Sequence, residues 1–160
     1  GEPMKQVTFI LLTCFLWLAG ASAALPENAQ ISKLEPITLE SADSVTMLTA
    51  EIADTDELRT RGLMFRHFLP EDKAMLFDYE TPRPVAMWMK NTNISLDMLF
   101  IREDGTIAAI AENTVPRSLD TISVQEPVKG VLELAAGTVK RLGLRVNDKV
   151  YHRIFNTVED

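Results

Sequence analysis

Three ionisable residues stand where strand patterning calls for apolar ones. Asp97 lies between Leu96 and Met98 in the most hydrophobic run of the chain, Lys90 follows Met87-Trp88-Met89, and Glu133 interrupts Val131-Leu132 and Leu134-Ala135. An unpaired charge is costly to bury, so such groups either pair or open onto a solvated pocket. A Lys90–Asp97 or Lys90–Glu133 pair flanked by Asn91 reads in three ways. It is a structural ion pair, a clamp for a carboxylate or hydroxyl ligand, or an acid/base pair of hydrolase or lyase type. In the last, Asp97 or Glu133 is the general base and Lys90 stabilises developing negative charge. Trp88 either stacks on a sugar face beside this set or packs in the core.

Arg59, Arg61 and Arg66 fall on or beside a helical segment, where a fork of guanidinium groups could catch an anion or simply face solvent. Nucleophilic catalysis has little to stand on: His67 and His152 are the two histidines and no G-x-S-x-G elbow occurs. The same two histidines, far apart in sequence, cannot supply a zinc set unaided. Met87 and Met89 alternate onto one face with Met64, Met75 and Met98 nearby; thioethers can hold Cu(I), although filling a core is their commoner use. No cofactor is otherwise indicated.

Composition bounds these readings. The 160 residues are 46% apolar and 24% charged, with 7 glycines, 8 prolines and one cysteine, which excludes fibrous, low-complexity and disulfide-stapled classes. A net charge of -7, from 23 carboxylates against 16 Lys and Arg, argues against a nucleic-acid partner, because phosphate binding needs a concentrated basic patch.

Residues 1–23 read as an export address: Met4-Lys5-Gln6 gives a positive start, residues 7–18 an apolar run, and Ala21-Ser22-Ala23 a small-x-small cleavage site. The run is shorter than the roughly 20 residues that span a bilayer, so no stable membrane anchor is expected after cleavage. Gly1-Glu2-Pro3 read as a scar or a misassigned start. Cys14 is followed by more apolar residues, Phe15 to Leu18, which disfavours a lipidation site. A periplasmic or secreted protein follows, with residues 24–36 as a flexible linker and residues 37–157 as a single β-rich domain.

The elements that must position the polar residues are short. Alternation predicts a strand over 45–53. Thr55 as N-cap with Asp56 and Glu57 behind it predicts a helix to about Arg66, burying Leu58, Gly62 and Phe65. A short apolar run follows at 75–77, with a loop bounded by Pro82 and Pro84. Strands are expected over 85–90 and 96–101, and Asp104-Gly105 should turn a hairpin into 106–111. Strands at 118–124 and 128–134, a helical turn within 135–142 ended by Gly143, and a closing strand at 150–155 complete the pattern. The fold class is mostly β: a jelly-roll-like β-sandwich or partly open barrel with one or two short helices.

Several blocks in order resemble the domain-of-unknown-function 192 family: Gly62-Leu63-Met64-Phe65-Arg66, Met75-Leu76-Phe77, Trp88-Met89-Lys90-Asn91-Thr92, Leu96-Asp97-Met98-Leu99-Phe100-Ile101, Asp104-Gly105-Thr106-Ile107 and Val131-Leu132-Glu133-Leu134-Ala135-Ala136-Gly137. The resemblance implies an exported, jelly-roll-like β domain without an assigned activity. Its recurring polar positions fall on Arg66, Lys90, Asn91, Asp97 and Glu133. The expectation is therefore a small polar ligand or envelope glycan bound in a pocket lined by Arg66, Trp88, Lys90, Asn91, Asp97 and Glu133. The alternatives are an acid/base enzyme, or a structural or protein-interaction module of the cell envelope.

Overall fold

Residues 31–157 are described by the computed structural model, in which seven strands and two short helices follow one another. These are β1 (Lys33–Glu40), β2 (Val45–Ala53), α1 (Asp56–Arg61), β3 (Lys73–Met87), β4 (Leu96–Ile101), β5 (Ile107–Ala111), β6 (Ile122–Ala135), α2 (Thr138–Leu142) and β7 (Lys149–Tyr151). The export address and the first part of the expected linker lie outside the described residues. β1 begins at Lys33, ahead of the domain start expected at Ile37. Among the described residues, no helix is long and apolar enough to cross a membrane.

The strands form one sheet in the order β5-β4-β6-β3-β2-β1-β7. Every pairing is antiparallel except β2 with β3, where α1 provides the crossover that a parallel pair requires. The sheet curls until its ends meet. Ile107 N–H donates to Asp148 O at 2.9 Å, Asn147 N–H to Ile107 O at 2.8 Å, and Val150 N–H to Gly105 O at 2.8 Å. The result is the partly open barrel form of the expected class, with a seam between β5 and β7.

Two apolar layers divide along this sheet because successive strand residues point to opposite faces. Ile37, Leu48, Leu76, Leu99, Ile107, Leu132 and Val150, drawn from all seven strands, fill the lumen. Met75, Phe77, Met98, Phe100 and Val131, from β3, β4 and β6, face outward and are covered by Leu63, Leu69 and Met89 from the connecting loops. All six residues of β4 are therefore buried, the pattern of a strand enclosed on both faces.

Several expected boundaries move for physical reasons. α1 stops at Arg61 because Gly62 takes φ 47 and sends its N–H back to Leu58 O. Leu63, and not Phe65, then carries the burial, at 1% exposure against 66%. β3 runs through Pro82 and Pro84 instead of breaking, since register shifts between Asp78 and Val85 leave those prolines without ladder bonds to donate. The expected strands at 118–124 and 128–134 are one continuous β6, and the closing strand is only the three residues of β7. β2 and β4 match their expected spans.

Closure depends on Gly105. Its φ is 82, and a Cβ there would stand 2.5 Å from Val150 O and 2.2 Å from Thr157 Cγ2. Gly105→Ala should therefore destabilise the fold by about 2 kcal/mol or more, measured by chemical denaturation, through both the strained torsion and the opened seam. An unchanged midpoint would show that the seam contributes nothing.

Candidate functional site

Strand register decides where the two buried acids go. Asp97 shares its face with Leu99 and Ile101 and points into the lumen, whereas Glu133 shares its face with Val131 and points outward. The side chains emerge on opposite sides of one sheet.

Asp97 is fully buried and fully used. One carboxylate oxygen accepts the Asn113 N–H and the other the Val139 N–H, both at 2.9 Å. Gly137, the N-cap of α2, has no side chain to satisfy the first turn, so Asp97 caps that helix from across the barrel and ties down the loop after β5.

Glu133 has the opposite environment. Its direct cross-strand neighbours are Met75 on β3 and Met98 on β4. It is 4% exposed and makes no hydrogen bond or ion pair with any described residue. Desolvation alone pushes its carboxyl up to about 8, so the group is mostly protonated at neutral pH. Its head lines a cavity of about 180 Å³ whose walls include Arg59, Arg61, Leu63, Met64, Met87, Trp88, Lys90 and Thr92. Lys90 stands at the exposed rim with its ammonium 5.0 Å from the centre of the Trp88 ring. Arg59 is turned inward, donating to Asp78 O at 2.6 Å and to Asp56 Oδ1 at 2.8 Å. Tyr79 places its hydroxyl 3.2 Å from Met87 Sδ, and its pKa is pushed up to about 12, first by burial and second by Glu133.

The model of the domain-of-unknown-function 192 family, described as uncharacterised ACR, matches residues 37–152. The chain belongs to that family. Two solved structures are similar to the chain. A protein from Sinorhizobium meliloti, described as a candidate transcription regulator, is 46% identical with a TM-score of 0.76, covering 79% of this chain and 98% of its own. A protein of unknown function from Novosphingobium aromaticivorans is 31% identical with a TM-score of 0.74, covering 83% of this chain and 94% of its own. Among curated proteins, none matches.

Of the polar positions singled out from the sequence, the structure brings Lys90 and Glu133 together with Trp88 in the cavity, and separates the rest. Asp97 is on the other face. Arg66 is engaged elsewhere, donating to both oxygens of Glu51 at 2.5 and 2.7 Å, which lowers the Glu51 pKa and raises its own. Asn91 does not line the cavity: it adopts φ 54, its carbonyl accepts the Phe65 N–H at 2.8 Å, and its side-chain amide lies 4.0 Å from Met64 Sδ in the cavity wall. Arg59 and Arg61 do reach the cavity, without Arg66. Met64 and Met87, singled out in the sequence only as thioethers, line the wall with Thr92, which no pattern set apart; Tyr79 and Glu51 carried no signal that set them apart.

Two substitutions should separate the acids. Asp97→Ala leaves two buried N–H groups unpaired and should cost about 2–5 kcal/mol in denaturant titrations. Glu133→Leu removes a buried group with no partner, suits its methionine neighbours, and should stabilise the protein by about 1–4 kcal/mol. The gain should grow with pH. A raised folded-state pKa means the unfolded chain loses its Glu133 proton first, so wild-type stability falls between the ordinary value of 4.5 and about 8, by about 1.4 kcal/mol per pH unit at most. Glu133→Leu should flatten that slope. A destabilised Glu133→Leu protein at pH 8 would contradict the assignment.

Proposed function

We propose that this protein binds a small polar ligand in the cavity over Glu133, as an exported protein of the cell envelope. The observation that carries the reading is Glu133 itself. A nine-tenths buried carboxyl without a partner weakens the fold, so its value lies in what it can offer a bound molecule. Protonated, it donates one hydrogen bond to a hydroxyl or carboxylate oxygen and accepts others from hydroxyl groups. Arg61 and Lys90 add positive charge at the wall and rim, which favours a hydroxyl or carboxylate ligand over a cation and disfavours the copper reading. At about 180 Å³ the cavity falls below the roughly 300–1,000 Å³ of drug-sized sites, matching a single sugar ring or a small hydroxy acid.

Binding is favoured over acid/base turnover because Asp97 faces the lumen, leaving Glu133 without a second carboxylate for the paired-acid chemistry of glycoside hydrolysis. Transcription regulation, the description given to the Sinorhizobium relative, fits poorly with a chain of net charge -7. The export address supports an envelope setting.

The test is a thermal-shift and calorimetric screen with glucose, N-acetylglucosamine, glucuronate, lactate and citrate. At least one should bind saturably, and Glu133→Leu and Trp88→Ala should each weaken it about tenfold or more, with Glu133→Leu still more stable than wild type. Arg66→Lys, outside the cavity, should bind as wild type does. No binding by any of the five, or binding that both cavity variants retain, would overturn the proposal.

A further inference from the structure

The cavity continues into a second depression. An open groove of about 440 Å³ is lined by Asp56, Glu57, Thr60, Arg61, Met64 and Phe65, and three of these, Thr60, Arg61 and Met64, also line the Glu133 cavity. The last turn of α1, with Met64 beyond it, is thus a wall common to the two depressions.

Phe65 is the residue there that folding does not explain. Its backbone is left-handed at φ 65, which a side chain with a Cβ adopts at a cost of about 1 kcal/mol or more. Its ring is 66% exposed and gains little burial in return. The conformation is nevertheless fixed, because its N–H donates to the carbonyl of Asn91, a second left-handed residue at φ 54. The Asn91 turn is held in its own right: Thr92 O accepts from Arg117, a third such residue at φ 60. Three connecting loops are thereby pinned so that an aromatic ring stands in solvent at the edge of the groove.

We infer that the site takes a linear glycan, with one sugar unit over Glu133 beside Trp88 and the next unit lying across the groove on Phe65. This rests on the ligand-binding reading and extends it to a substrate class. A flat exposed ring offers a sugar an apolar platform, while the Asp56 and Glu57 carboxylates and the Thr60 hydroxyl offer acceptors to its hydroxyl groups. A peptide fits less well. The shared wall is helical, so it provides no free strand edge to an extended chain. Lys90 covers one face of Trp88, so a stacked unit uses the other face or displaces the ammonium.

The experiment compares N-acetylglucosamine with its β-1,4-linked dimer and tetramer, by calorimetry on the wild type and on Phe65→Ala, Phe65→Tyr and Trp88→Ala. The dimer should bind about tenfold or more tightly than the monomer. Phe65→Ala should reduce dimer affinity to that of the monomer and leave the monomer unchanged, Phe65→Tyr should keep the dimer advantage, and Trp88→Ala should weaken both. Phe65 is exposed and strained, so Phe65→Ala should fold at least as well as wild type, checked by its melting temperature. Equal affinity for monomer and dimer overturns the glycan inference and leaves the cavity reading standing. Binding of lactate or citrate but no saccharide does the same, as does Phe65-dependent binding of a phenylalanine-containing peptide in place of the dimer. Absence of binding by every probe fails the cavity reading itself.

Discussion

A carboxyl group buried among thioethers and aliphatic side chains loses its hydration and must be answered by a donor, by a counter-charge or by a proton. At Glu133, Met75 and Met98 flank the residue on the neighbouring strands, and neither can donate or neutralise. The proton is the answer that remains, which is why the pKa moves up to about 8 with desolvation as its cause. The cavity exists on the same terms. Leu63 and Met64, set above the sheet where Gly62 ends α1, roof the outer face without supplying a partner for the acid.

Asp97 shows the same side-chain chemistry put to structural use. One strand over and on the opposite face, it meets two backbone N–H groups and satisfies both. That contact joins the lumen to α2, and the residues that follow α2 lead to the seam where β7 meets the β5 edge. Two carboxyl groups on neighbouring strands thus divide the work: Asp97 ties α2 and the loop after β5 to the barrel, and Glu133 stands on the outer face. The basic residues divide in the same way. Arg66 is consumed by Glu51 and Arg59 by Asp56 and Asp78 O, whereas Lys90 remains at the rim of the cavity.

The sequence made the burial of these acids legible but not their partners. An acid inside an apolar run announces that it is enclosed, and the two strands whose alternation or density was strongest, β2 and β4, were readable to the residue. The face each acid takes depends on which layer covers which side of the sheet, and that is fixed by long-range pairing that local pattern does not encode. Phe65 was expected inside because helical spacing was carried past Gly62, where one positive torsion ends the helix and turns the ring outward. The prolines of β3 suggested a loop, yet bulges accommodate them on an exposed stretch. Lys90, Trp88 and Glu133 were named together from sequence; Arg66, Asn91 and Asp97 were named with them on grounds of polarity, and tertiary partners claimed each one.

The protonation state of Glu133 carries this account, and it can be observed directly. Carbon-13 NMR of the side-chain carboxyl carbon, assigned by its loss in Glu133→Leu, would follow the group from about pH 4 to about pH 10. A midpoint near 8 is the result the structure predicts, while a midpoint near the ordinary value of 4.5 would mean that the carboxyl reaches water or a partner and would contradict the site as described.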